Sequence, residues 1–204
     1  MRGAARYRHP PILRGVSASQ IRAEHTAKHE RIAQTQVIKP AQQPSNELTG
    51  VFIFIFINAF LIGTASGLRA LIGLTAVSWA VHSGILPLDH TWLAFLGYAF
   101  TPYILTLMAI GELVNDKLPR TPSRLVPPQF ITRIVTSALC GLAIGFPGHG
   151  MIIGLVAGIL GAVVGTLGGA KARGLLARTF GRDLPAALLE DVVALGITAF
   201  ALFR

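Results

Sequence analysis

The chain has 204 residues, of which 52% are hydrophobic and only 13% are charged, and its formal net charge is +9 at pH 7. Soluble domains usually carry about 25% charged residues and place polar faces on their elements, so this composition excludes an ordinary soluble fold. The positive charge does not indicate nucleic-acid binding by the main body, because the basic residues lie between apolar runs and not along one helix face. The only cysteine, Cys140, lies in an apolar run and has no partner for a disulfide.

The first 48 residues form a separate region that holds eight Lys/Arg and three Asp/Glu and no apolar run of signal-peptide length. Apart from a weak helix that Ser17–Gln20 can cap, we predict a basic, largely disordered tail that rests on anionic lipid headgroups. The lack of acidic residues before Glu24 leaves open an alternative, an organellar transit peptide.

Residues 49–204 predict an all-α domain, a polytopic transmembrane helix bundle of about six spans. A bilayer core of about 30 Å needs about 20 mostly apolar residues in a helix. Pro87, Pro127-Pro128 and Pro147 fall in the predicted connections, where a missing backbone donor does least harm. The six predicted spans are Thr49–Leu68, Ala70–Leu86, Trp92–Glu112, Phe130–Phe146, Met151–Ala170 and Leu184–Phe203.

The predicted connections sort by charge. Gly67–Arg69, Asn115–Arg124 and Lys171–Arg182 are basic, whereas Pro87–Thr91 and Pro147–Gly150 hold no Lys or Arg. Six alternating spans place the three basic connections on one face, which the positive-inside bias makes cytoplasmic. Both termini then lie outside, although the eight basic residues of the tail argue against translocation of the N-terminus.

Two further arrangements stay open at this stage. Residues Thr49–Leu86 can instead form a re-entrant pair, because Gly63 and Gly67 permit a sharp break. The blocks Thr49–Glu112 and Phe130–Phe203 each hold three spans, which is compatible with the two inverted three-helix halves found in transporters.

A ladder of small residues marks the fifth predicted span. Its spacings of four, three, four and three residues place five glycines on one helix face. Glycine lets helix backbones approach closely in lipid, so we predict a tightly packed helix, a glycine zipper whose partner is another span, a second copy of the chain or another membrane protein. These glycines are Gly154, Gly158, Gly161, Gly165 and Gly168.

Charged residues near the ends of the spans are the candidate functional residues, because a carboxylate in hydrocarbon costs about 2.5–3.5 kcal/mol. Glu112 and Asp116 are four residues apart on one face of the third span, and Lys117 follows. Glu190 and Asp191 lie near the start of the sixth span, which Asp183 can cap and Pro185 can begin. The predicted topology brings these residues to one cytoplasmic vestibule. The predicted polar or transport site comprises Arg69, Glu112, Asp116, Lys117, Glu190 and Asp191.

No other pattern predicts chemistry. His82 and His149 lie at span ends on the opposite face, and we find no set of metal ligands around them. Ser66, Thr75 and Thr136 suit hydrogen bonds between helices better than nucleophilic catalysis. The sequence has no catalytic motif and no cofactor motif, so we expect no catalytic residues, no cofactor and no metal.

Four short motifs resemble a bacterial family of small integral membrane proteins catalogued as a domain of unknown function. They are Gly67-Leu68-Arg69, Glu112-x-x-x-Asp116-Lys117-x-Pro119, Lys171-Ala-x-x-Gly174 and Glu190-Asp191-x-x-Ala194-Leu195. The resemblance covers about Thr49–Arg204 and implies a location in the bacterial inner membrane. The long tail departs from the family, whose members begin near the first span.

Three functions fit these observations. The first is transport or channel-like conduction of a small solute or ion through the charged vestibule, with carboxylates that bind a cation or exchange protons. The second is a non-catalytic scaffold or assembly partner that packs through the glycine ladder, as a homo-oligomer or with another membrane protein. The third is a membrane-embedded, lipid-modifying enzyme whose acids hold a divalent metal, although the expected Asp-rich motif is absent. A solvated cavity at the acids favours transport, and fully paired acids favour a scaffold.

Overall fold

The computed structural model describes residues 17–38, 43–117 and 126–203. Within these residues the chain is entirely helical and has no strand, which confirms the all-α class. By its internal contacts the chain divides into two units, Met1–Glu47 and Leu48–Arg204. The helices are α1 (Ala18–Ile38), α2 (Gln43–Leu68), α3 (Ala70–His82), a 3₁₀-helix (Trp92–Gly97), α4 (Thr101–Asn115), α5 (Pro127–Gly145), α6 (Met151–Phe180) and α7 (Asp183–Phe203).

The tail differs from its predicted state where the structure describes it. The sequence predicts a largely disordered segment with a weak helix at most, whereas α1 is a continuous helix of 21 residues. Its side chains from Arg22 to Arg31 are exposed. A polar, exposed helix packs no apolar stripe against the protein, so its sequence has no amphipathic pattern that would predict its length. The four arginines before Ser17 lie outside the described residues.

Among the residues that the structure describes, four helical segments are long and apolar enough to cross a membrane, judged by length and composition, and the chain is a membrane protein. They are Asn46–Leu68, Pro127–Gly145, Met151–Phe180 and Asp183–Leu202. The described residues do not confirm six spans. The apolar helix α3 has 13 residues and is about 20 Å long at 1.5 Å per residue, which is short of a bilayer core of about 30 Å.

The second and third predicted spans are wrong in their extent. Helix α3 stops at His82 and not at Leu86, because Gly84 takes a left-handed conformation (φ 77°) that ends the helix. The predicted span Trp92–Glu112 is divided into the 3₁₀-helix, whose N-terminus Thr91 caps, and α4, whose first turn holds Pro102. Proline supplies no backbone N–H, so it begins a new helix at that point and does not continue the first.

Two other boundaries also differ. Helix α6 continues ten residues beyond Ala170, so most of the predicted Lys171–Arg182 connection is helical. Gly181, with φ 65°, ends it in the left-handed region. Pro127 lies in the first turn of α5 and not in a connection, a position where its missing N–H would be unpaired anyway.

Helix α6 packs against α5 and α2 through glycines that leave no room for a side chain. A Cβ at Gly154 would meet the backbone of Gly141, and one at Gly158 would meet the carbonyl of Ser137, both in α5. The next two ladder positions face α2: a Cβ at Gly161 would meet the carbonyl of Phe60, and one at Gly165 that of Thr64. We call these four positions of α6 the glycine seam. The fifth ladder residue, Gly168, has no such neighbour within 4 Å.

The seam fixes which helix ends meet. The Pro147–Gly150 connection lies beside Val51 and Ile55, near the start of α2. Arg69 follows the other end of α2, one bilayer-length away along a helix of 26 residues. The ends of α2, α4 and α6 and the starts of α3, α5 and α7 therefore lie together on the side of Arg69, as the contacts below show.

Candidate functional site

The site is built around the break between α2 and α3. Arg69 has an extended backbone (φ −140°, ψ 109°), so the last carbonyls of α2 and the first amides of α3 are free to bind groups from other helices. Arg133 Nη1 donates to the carbonyls of Gly67 and Leu68 at 2.7 and 2.6 Å. The hydroxyl of Thr166 donates to the Gly67 carbonyl at 3.1 Å. A cation from α5 thus caps the negative end of α2.

A carboxylate caps the other side of the break. The amides of Ala70 and Leu71 donate to Oε1 and Oε2 of Glu112, each at 2.9 Å. A negative charge is favourable at the N-terminus of a helix, where free amides and the helix dipole meet. Arg133 Nη2 lies 3.7 Å from Oε1 of the same carboxylate. Glu112 and Arg133 therefore clamp the two helix ends with opposite charges that also attract each other.

The Arg69 side chain is fully buried and links α4 to α7. Its Nη1 lies 2.6 Å from Oδ2 of Asp116, and its Nη2 lies 2.6 Å from Oδ1 of Asp191. Its Nε donates to the same Oδ1 at 2.7 Å. Lys117 Nζ binds the second oxygen of Asp191 at 3.0 Å. A buried guanidinium is tolerated only with such partners, and here two carboxylates supply them.

Arg173 of α6 connects the remaining acids. It donates to the carboxylate of Asp116, and its Nε donates to Oδ1 of Asp183 at 2.9 Å. Its Nη1 lies 3.7 Å from Oε2 of Glu190. Glu190 and Asp191 are adjacent and diverge by about 100° around the axis of α7, so each faces a different arginine.

These contacts join nine residues, which we call the charged network. It includes all six residues of the predicted polar site. The other three are Arg133, near the start of the predicted fourth span, Arg173, in a predicted basic connection, and Asp183, the predicted cap of the sixth span. The nine are Arg69, Glu112, Asp116, Lys117, Arg133, Arg173, Asp183, Glu190 and Asp191.

One signal in the sequence points to Arg173. Counting in fours from Gly161 through Gly165 and Gly169 reaches Arg173, so the arginine continues the buried face of the glycine ladder. That reading requires α6 to extend past Ala170, which the charge of Lys171 and Arg173 argued against. Arg133 carries no comparable signal, since its role depends on the carbonyls of a helix 65 residues away.

The network sets the ionisation of its central acid. Burial raises the pKa of Asp116, but the hydrogen bond from Arg173 and the charge and hydrogen bond of Arg69 outweigh it. The net result is a pKa below the ordinary value of 3.8. Asp116 is therefore an anion at neutral pH.

A cavity of about 240 Å³, with polar and charged groups among mostly apolar surface, opens beside the break. Since one water occupies about 30 Å³ of liquid, the cavity has room for several waters or a small solute. Carboxylates, a guanidinium, amides and a hydroxyl all contribute to its wall. The lining residues are Ala70, Leu71, Met108, Glu112, Asn115, Asp116, Gln129, Thr132 and Arg133.

Other chemistry-bearing residues lie apart from this site. Cys140 is buried in α5, and His82 and His149 are outside the network. The His82 ring contacts the Gly97 carbonyl at 3.0 Å through Nδ1. Among the described residues, no group of three or more His, Cys, Asp and Glu side chains is arranged to hold a metal ion.

The fold and the site together define a helical membrane protein whose helix ends meet in a buried network of ion pairs. No family model matches the chain, and no curated protein or solved structure is significantly similar to it. The resemblance to a bacterial family of small membrane proteins stays a prediction that rests on its four short motifs.

Proposed function

We propose that this protein transports or conducts a small solute or ion across a bacterial inner membrane, with the charged network and its cavity as the polar site. The observation that carries the proposal is the cavity of about 240 Å³, because Glu112, Asp116 and Arg133 line it beside a broken helix. A wholly structural ion cluster needs no such space.

The broken helix supports the same function. Non-helical backbone at membrane depth is tolerated where it lines a cavity, and transporters place such breaks at their binding sites. Here Ala70 and Leu71 both bind Glu112 and line the cavity. A solute that displaces Glu112 from these amides would free the start of α3, which couples binding to movement of a helix.

A second function is supported by a different observation. Each acid of the network lies within 4 Å of an arginine or lysine of the same chain. Paired charges that fix the positions of helix ends suit a non-catalytic scaffold, in which the network is a structural lock. In this case the cavity has no solute.

Reconstitution of the full chain in liposomes separates the two functions. The probes are protons, K⁺, Cl⁻ and glycerol, followed with dyes or light scattering against protein-free liposomes. We expect the wild type to carry at least one probe, and Glu112→Gln to reduce that flux at least tenfold. Asp89→Asn is the matched control, because Asp89 is exposed and outside the network. Wild-type liposomes that match empty ones for every probe would contradict transport and leave the structural lock.

The predicted orientation belongs to this proposal. The basic ends of α4 and α6 face the cytoplasm, and α3 and α4, although short, complete six membrane-embedded segments. A Thr179→Cys variant should resist labelling by an impermeant maleimide in intact cells, and Ser83→Cys should react. Both residues are exposed, whereas the native Cys140 is buried and gives a low background. The reverse labelling pattern would contradict this topology.

The glycine ladder supports no contact between copies of the chain. Its seam residues face α2 and α5 of the same chain, so they are not available to a partner. Only Gly168 has open space before it, and one glycine is too small a surface for assembly.

A further inference from the structure

An apolar groove of about 650 Å³ lies on the opposite side of α3 from the polar cavity. Helix α3 forms its floor, and α4 and α7 form its walls. Small residues on the floor and one wall, Ala76, Ala80 and Ala109, give the groove its depth. Larger side chains at these positions would fill it.

The groove presents hydrocarbon although polar residues contribute to it. Trp79 Nε1 donates to Thr106 Oγ1 at 3.1 Å, and that hydroxyl donates to the Pro102 carbonyl at 2.7 Å. Thr198 donates to the Ala194 carbonyl at 2.8 Å. These polar atoms bind their own chain, which leaves methyl groups and ring faces toward the groove. The hydroxyl of Thr75 on the floor is the exception among the described lining residues, since it has no hydrogen-bond partner.

One end of the groove is closed by charge. Leu113 and Leu195 line the groove, and Lys117 and Asp191 lie one helical turn beyond them toward the charged network. The ion pair of Lys117 with Asp191, at 3.0 Å, bridges the two walls there. The walls themselves carry exposed apolar side chains, including Ile110 and Leu195. These side chains suit contact with bilayer hydrocarbon, and the inference rests on the proposed topology in which α3 and α4 are embedded in the membrane.

We propose that the groove binds one acyl chain of a membrane phospholipid, with the headgroup at the end closed by Lys117 and Asp191. The floor is about 20 Å long, since α3 has 13 residues, and one leaflet of the hydrocarbon core is about 15 Å deep. A groove of this volume, lined by apolar side chains with few polar groups, lies within the range of ordinary ligand pockets.

Size argues against a helix as the occupant. A transmembrane helix about 10 Å in diameter occupies roughly 1,600 Å³ over 20 Å of length, more than the roughly 1,270 Å³ of space between the atoms that line the groove. A single hydrocarbon chain is narrower and is supplied by the bilayer itself. Because α3 separates α4 from α7, the acyl chain lies on α3 with α4 on one side and α7 on the other.

Retention of lipid in detergent tests the proposal. The full chain is purified with extensive washing, and phospholipid per protein is measured by mass spectrometry of extracts. We expect about one phospholipid per wild-type chain and at least a fivefold loss in Ala76→Phe, which fills the groove. Ala199→Phe is the matched control, because Ala199 is exposed on α7 and does not line the groove; it should retain lipid.

A fluorescence measurement covers the case in which Ala76→Phe does not fold. The chain has two tryptophans, so Trp92→Phe leaves Trp79 as the only one, on the floor of the groove. Phospholipid with brominated acyl chains should quench Trp79 in detergent and saturate near one lipid per chain. Wild type that retains no lipid, quenching that never saturates, or a dimer whose dissociation exposes the groove would overturn the proposal.

Discussion

The glycine seam and the charged network hold the same helices together by opposite means. In the seam, α6 approaches α2 and α5 until backbone meets backbone, and no side chain lies between them. In the network, long side chains cross the gaps between helix ends. The single side chain of Arg69, for example, binds carboxylates at the end of α4 and on α7. The seam depends on what is missing at four positions, whereas the network depends on pairs that must be present together.

The two predicted three-helix halves, α2–α4 and α5–α7, also differ from each other. Helices α5 and α6 have 19 and 30 residues and pack through the seam, whereas α3 and α4 have 13 and 15. The middle helices of the halves thus differ more than twofold in length, so the lengths give no support to an inverted repeat. The short helices meet at the network, where α3 begins and α4 ends, and both line the cavity and the groove. The structure therefore joins a packed scaffold to a more open part.

The largest expected effect is the loss of Arg69, because its charge is buried between two carboxylates. Arg69→Glu leaves Asp116 with Arg173 and Asp191 with Lys117 as their remaining cations and adds a third negative charge between them, which costs about 3–5 kcal/mol. We expect little folded protein by fluorescence-detected gel filtration. Asp191→Arg in the same chain should restore part of it, because the pair is rebuilt with its charges exchanged.

Arg178→Glu is the control for the charge change. Arg178 is exposed on α6 and outside the network, so this variant should give nearly the wild-type yield. Equal yields for Arg69→Glu and Arg178→Glu would show that the network does not stabilise the fold.

The next effect tests the seam. Gly161→Leu places a branched side chain where even a Cβ would meet the carbonyl of Phe60, so α2 and α6 must move apart. Overpacking of this kind costs about 1–3 kcal/mol, and we expect a lower melting temperature in detergent. Gly168→Leu on the same helix has open space and should melt like the wild type. Equal melting of the two variants would contradict the role of the seam.

The sequence predicted the features that depend on neighbouring residues better than those that depend on residues far apart in the chain. The glycine spacing is local, and four of the five ladder positions lie at helix contacts. The ends of α2 at Leu68 and of α7 at Phe203 also agree with the predicted spans, because the apolar runs are long. The extent of α3, α4 and α6 could not be predicted well, since it depends on Gly84, Pro102 and tertiary partners of Arg173.

The charged network was predictable only in part. The free-energy cost of charges in hydrocarbon and the predicted topology assigned six residues to one side of the membrane. The structure brings these six residues together. Which acid binds which base was not predictable, because pairs such as Arg69 with Asp191 join residues 122 positions apart. The role of Glu112 as the cap of α3 is also invisible in sequence, since local caps lie within a few residues of the helix they cap.

Acid should weaken the network before the seam. The pKa of Asp116 is below its ordinary value of 3.8, so its ionised form contributes stability that is complete above that value and is lost as the pH falls through the folded-state pKa. We expect a flat melting temperature from pH 7 to about 5 and a decline below about 4. Asp116→Asn should show a shallower decline, and an equal slope in both proteins would exclude Asp116 as a source of the acid sensitivity.

The smallest effect concerns Thr166, where the seam meets the network. Its buried hydroxyl donates to the Gly67 carbonyl, which also accepts a hydrogen bond from Arg133 at 2.7 Å. Thr166→Val removes one donor and keeps the shape of the side chain. Because Arg133 still satisfies the carbonyl, no buried acceptor is left unpaired, and the loss should be only about 0.5–1.5 kcal/mol. Thr166→Ser keeps the hydroxyl and should lose less than Thr166→Val if the hydrogen bond matters, or more if packing of the methyl group dominates. The order of the two melting temperatures therefore shows whether packing or hydrogen bonding governs this junction.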